Sequence, residues 1–150
     1  MTLQAILAYV HYISIITLIT TLVLELVIFE KDISKKDRRK LQKTDSIYGL
    51  SALLVLATGT VRIMLQGKGW SYYLDNNFFI IKLSLFAIVG LLSIYPTIAF
   101  LKWRKLPAEQ EGFSYDEATF RRILIFIRIE VILVFFIPLF AALMARGIGF

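Results

Sequence analysis

Four apolar runs, each about 20 residues or longer, constrain this chain more than any other feature. They are Leu3–Phe29, Ile47–Leu65, Phe78–Leu101 and Phe120–Ala145. A run of that length crosses a bilayer as a helix, because the hydrocarbon core holds no water to satisfy unpaired backbone groups. At 58 % hydrophobic residues over 150 positions, the chain is also too apolar for an ordinary soluble domain, where about 45–50 % is usual. The sequence therefore predicts an all-α integral membrane protein, a four-helix bundle forming one domain over residues 1–150. The first ten residues hold no Lys or Arg, and the first run is too long for a signal-peptide core, so it is expected to be a retained span.

Charge alternates between the loops. The first loop, Glu30–Ser46, carries Lys31, Lys35, Lys36, Arg38, Arg39, Lys40 and Lys43. The third carries Lys102, Arg104 and Lys105, with Arg121 and Arg122 at the start of the next span. The second has only Arg62 and Lys68 nearby, and the C-terminus only Arg146. The positive-inside rule then predicts an N-out, C-out topology with loops one and three in the cytoplasm. Trp70, Tyr72 and Tyr73 are expected in an outer aromatic belt, and Trp103 and Tyr115 near the inner interface. The net charge of +6 is accounted for by topology, with membrane lipids rather than nucleic acid as the expected partner.

Ionisable side chains within spans are costly and point to function by default. His11, the sole histidine, lies on the first span with Ser14, Thr21 and Glu25 at helical spacing, flanked by Thr17 and Thr20. Such a stripe faces the bundle, and its Ser and Thr members often do no more than bond to backbone. The second span shows Gly49, Ala52 and Gly59 along one side, a small-residue face suited to close helix approach. Asp45 and Tyr48 lie at its start, where Asp45 is expected to be an N-cap. The third span aligns Lys82, Phe86, Val89, Ser93 and Pro96, with Ser93 placed to satisfy a carbonyl freed by the proline. His11 at roughly 12 Å depth and Lys82 at roughly 7 Å are expected at similar levels, with Arg62 close by. The fourth span carries Arg128 and Glu130, and Glu25 or Glu130 is the expected partner of Arg128, since charges in lipid must pair.

The chain has no cysteine, which excludes disulfides, iron–sulfur clusters and thiolate metal sites. One histidine does not build a zinc site, and Glu25, about 21 Å along the helix from His11, is too far to help. Neither a GxGxxG nor a Walker A sequence occurs. Haem fits better, needing an apolar cavity, an imidazole for iron and cations for its propionates. His11 is the expected metal ligand, with Arg62 and Lys82 as cofactor-binding cations, while twelve Phe and seven Tyr offer lining. The sixth iron position is left to Lys82, Met64, water or, in a homodimer, His11 of the partner subunit. A rival reading needs no cofactor: a small transporter or membrane-complex subunit, with His11, Glu25 and Glu130 along a proton or substrate path.

The stretches YVHYISIITLITTLVLELVIF, DSIYGLSALLVLATGTVR, KGWSYYLDNNFFIIKLSLF and LLSIYPTIAFLKWR resemble a bacterial membrane-protein family, domain of unknown function 2214, over helices one to three. That implies a bacterial inner (cytoplasmic) membrane location and names no activity. The order of a His early in helix one, a Thr-Gly late in helix two, a Trp loop and a Lys early in helix three more distantly resembles the HemJ-type protoporphyrinogen oxidases. Those are small helical membrane proteins that bind haem b. The resemblance implies haem b at His11, functional roles for Lys82 and Glu130, and a porphyrin or quinone as small-molecule partner. Arg128 sits at a different offset from the Arg of that family. The chain also has Phe29 or Glu30, and Asn77 or Phe78, where that family commonly has further histidines.

Overall fold

The computed structural model describes residues 2–65, 67, 69–103 and 112–149; Lys68, Arg104 and Lys105 lie outside them. In chain order the elements are α1 (Thr2–Ile28), β1 (Asp32–Ser34), α2 (Lys35–Leu65), α3 (Gly69–Leu74), α4 (Asn77–Lys102), β2 (Gly112–Ser114) and α5 (Glu117–Ala145). α1, α2, α4 and α5 are each long and apolar enough to cross a membrane. They run up, down, up and down, as helices joined by short connections must. α1 packs on α2 and on α5, and α4 packs on α5 and on α2, which closes a ring. The α2–α4 seam is the thinnest of the four.

One stripe per helix builds the core. Leu18 and Leu22 come from α1, Leu41 and Tyr48 from α2, Val89 and Phe100 from α4, and Ile123, Ile127 and Val134 from α5. Large apolar side chains such as Val27, Leu53, Leu91 and Ile132 point outward on all four helices. A continuous apolar exterior of this kind matches lipid as its solvent, and the protein is a multi-pass membrane protein.

The second helix begins at Lys35, twelve residues ahead of the apolar run at Ile47. Ser34 caps it: its Oγ accepts from the Asp37 N–H (3.1 Å) and donates to the Asp37 carboxylate (2.7 Å). This reciprocal cap carries the charged turns of α2 beyond its apolar part. Asp45 is consequently an interior residue of α2 rather than its N-cap. Gly49 meets nothing across the bundle, whereas Gly59 meets His11, so the expected small-residue face shortens to one close approach.

At one end, β1 and β2 pair antiparallel, with Ile33 opposite Phe113. Phe29, Phe100, Trp103, Phe113, Tyr115 and Phe120 pack together there. We call this the strand end. Trp103 and Tyr115 are buried within that cluster. At the opposite, terminal end, the Asn76 side chain caps α4 by accepting from the Phe78 and Phe79 N–H groups and donates to the Ile148 carbonyl. Tyr73 is buried, its ring tilted against that of Phe79, while Trp70 is exposed.

Candidate functional site

Two polar groupings lie inside the bundle, one near each end. The terminal-end grouping is built on His11, half-buried on the α1 stripe. Its Nδ1 lies 2.8 Å from Thr58 Oγ1 on α2. The direction of that bond follows from the hydroxyl's other partner. Thr58 Oγ1 donates its single hydrogen to the Leu54 carbonyl at 2.5 Å, one turn back on its own helix. The oxygen is then left to accept, so His11 Nδ1 carries the proton and Nε2 keeps its lone pair. The Val55 carbonyl, which also interacts with the ring, is likewise an acceptor. Gly59 makes the fit possible: a Cβ there would stand 3.3 Å from His11 Cε1.

Arg62 and Lys82 both act electrostatically on His11, and on each other. The Arg62 guanidinium sits 5.3 Å from the centre of the Tyr12 ring, and Lys82 Nζ 4.9 Å from that of Phe79, both cation–π distances. The sequence placed His11, Arg62 and Lys82 at one level, and in the structure both cations lie within electrostatic reach of His11. Met64 is exposed on the outside of α2.

The strand-end grouping was not legible as a unit. Glu25 of α1, Asp45 and Tyr48 of α2, and Glu130 of α5 are all buried. Glu25 interacts electrostatically with both Asp45 and Glu130, and Glu130 with Asp45. The Tyr48 hydroxyl donates to Glu130 Oε2 at 3.2 Å, and Thr97 of α4 donates to Asp45 Oδ1 at 2.6 Å. Glu25 Oε1 and Glu130 Oε1 are fully buried and have no hydrogen-bond partner. The spacing of Asp45 and Tyr48, three residues apart on the buried stripe of α2, was the available signal.

Arg128 does not join this group. It is exposed and forms no ion pair with Glu25 or Glu130. Two residues on an α-helix project about 200° apart, so burying Glu130 turns Arg128 outward. The hydroxyls of α1 do not form a relay either: Ser14, Thr17 and Thr21 each donate to a carbonyl of their own helix. Ser93 donates to the Gly90 carbonyl (2.8 Å), not to the one that Pro96 frees. Among the described residues no three His, Asp or Glu side chains converge closely enough to hold a metal ion.

A cavity of about 150 Å³ lies at the strand end, lined by Tyr95, Trp103, Phe113, Tyr115 and Thr119 among others. It is separate from the His11 grouping. Burial pushes the Tyr115 phenol well above its ordinary range, so Tyr115 stays a neutral hydroxyl there.

No curated protein and no solved structure matches the chain. The family model described as Predicted membrane protein (DUF2214) matches residues 3–149, nearly the whole length, and the chain belongs to that family.

Proposed function

We propose that this protein is a haem b-binding redox protein of the bacterial inner membrane, N-out and C-out, with its cofactor at the terminal end of the bundle. The observation that carries this reading is the hydrogen bond between His11 Nδ1 and Thr58 Oγ1, with Thr58 committed as donor to Leu54. Metal-ligating histidines characteristically donate their second ring N–H to a fixed acceptor, which sets the tautomer and aims the free nitrogen. His11 would be held in that way, and its Nε2 would be the atom to bind the iron.

The surrounding residues suit the group. Arg62 on α2 and Lys82 on α4 flank the terminal end of the thinnest helix seam, where a porphyrin edge would meet two cations for its propionates. Lys82 would also act on a substrate at that edge, and Glu130 would serve deeper in the bundle. Bound haem would supply one-electron exchange. This chain supplies the ligand, its orientation through Thr58, and a hydrocarbon surround that excludes water. A porphyrin or a quinone is the class of small molecule such a site would serve.

The absorption spectrum of protein purified from haem-replete cells tests this. A Soret band is expected, lost or shifted in His11→Ala and shifted in Thr58→Val. No Soret band in the wild-type protein, before or after reconstitution with haem, overturns the reading.

A further inference from the structure

The strand-end carboxylates are not explained by a cofactor at the other end. Glu25 and Glu130 are 2 % and 1 % exposed. Each has one oxygen with neither a donor nor water-accessible surface. Two ionised carboxylates beside each other in a low-dielectric interior repel, and each alone is costly to bury. Two orphaned acceptor oxygens within electrostatic reach of a third carboxylate are complete only when something positive or proton-bearing is bound there.

The neighbours on every packed helix narrow what that is. On α1, Glu25 itself is the sole charged side chain at this level. On α2 stand Asp45, Tyr48 and, about 10 Å further toward the strand end, the buried Arg38. On α4 the facing groups are the hydroxyls of Ser93 and Thr97. On α5 there is Glu130, with Arg128 turned outward. Glu25 and Glu130 form no ion pair with any described residue. The carboxylates also do not converge as metal ligands do, which disfavours a bound cation.

The geometry points to a proton-binding site formed by Glu25 and Glu130 in the strand-end half of the bundle, with Asp45 and Tyr48 as its polar surround. The pair holds at least one proton. A bound proton removes one buried charge and turns a bare acceptor oxygen into a hydroxyl. Tyr48 gives Glu130 a fixed donor at one oxygen and Thr97 gives Asp45 another, whereas Glu25 Oε1 has none, so the exchangeable proton is assigned to Glu25. The site stands independently of haem at His11.

Infrared spectroscopy of the full-length protein in lipid nanodiscs tests this directly. At neutral pH a protonated-carboxyl C=O band is expected that shifts in D2O and is lost reversibly as the pH is raised. Glu25→Gln and Glu130→Gln should each remove that titrating band. Tyr48→Phe, which leaves all three carboxyl groups in place, should move its frequency, and serves if either glutamine variant fails to fold. The proposal is overturned by the absence of such a band, by a band that does not titrate while the protein remains folded, or by one unchanged in both glutamine variants. Loss of the band on adding sodium at constant pH would also overturn it, identifying a metal cation as the occupant.

Discussion

Tyr48 and Gly59 show how single residues set the two interior groupings. The Tyr48 hydroxyl is the donor to Glu130 Oε2. Removing it leaves a buried acceptor unpartnered, which costs about 1–3 kcal/mol. Tyr48→Phe keeps the ring volume, so a loss of that size is expected in equilibrium unfolding of the detergent-solubilised protein, and an unchanged midpoint would show that the bond contributes nothing. Gly59 acts by absence. A Cβ there would stand 3.3 Å from His11 Cε1, so Gly59→Ala is expected to displace the imidazole by a few tenths of an ångström. If the haem reading holds, its Soret band should shift while the helical circular-dichroism signal is retained. The sequence marked His11 and Lys82 because charge in lipid is conspicuous. Thr58 was visible only as part of a Thr-Gly pair, and nothing local said that its hydroxyl hydrogen is committed to Leu54.

At the scale of elements, caps decide where helices begin, and apolarity does not. The Ser34–Asp37 cap starts α2, so a boundary drawn from hydrophobicity alone arrives three turns late. Asn76 is completely buried, caps α4 and holds the C-terminal segment through Ile148. Asn76→Ala should destabilise the protein by about 1–2 kcal/mol, read from thermal unfolding, and should raise amide exchange at Asn77, whose N–H bonds to Gly149. Asp116 caps α5 from outside the membrane. The Thr119 side chain and N–H hold its carboxyl below the usual carboxylate range. A carboxyl lowered in the folded state stabilises above its unfolded value, near 3.9, and that contribution is lost as the pH falls through the folded value. The first turn of α5 should therefore fray on acidification, seen as faster exchange at the Thr119 amide. Asp116→Asn, which caps without titrating, should reduce that pH dependence to the part carried by Glu117, whose carboxyl Arg121 and Lys31 also hold low.

For the whole molecule, the ring of four helices places the basic grouping of His11, Arg62 and Lys82 toward one end and the acidic grouping of Glu25, Asp45 and Glu130 toward the other. The chain contains no cysteine, so single-cysteine variants report orientation without background. The positive-inside rule predicts that Lys36→Cys is labelled by an impermeant thiol reagent only from the cytoplasmic side, and Ser71→Cys only from the outside. The reverse pattern would invert the topology and put the His11 grouping at the inner face.

Periodicity and length alone determined the four spans and the inward stripes, because lipid leaves a backbone no alternative to the helix and a charged side chain little alternative to the interior. The buried positions Val89 and Pro96 on the α4 face followed from that. Tertiary structure alone decided the partners. Arg128 looked like the counter-ion of a nearby carboxylate but points away from the bundle. Glu25, Asp45 and Glu130, far apart in the chain, meet only because α1, α2 and α5 pack with their stripes facing. Sequence spacing fixes which face of a helix a residue occupies; which residue of another helix it meets depends on how the helices pack, and that is set by the whole core at once.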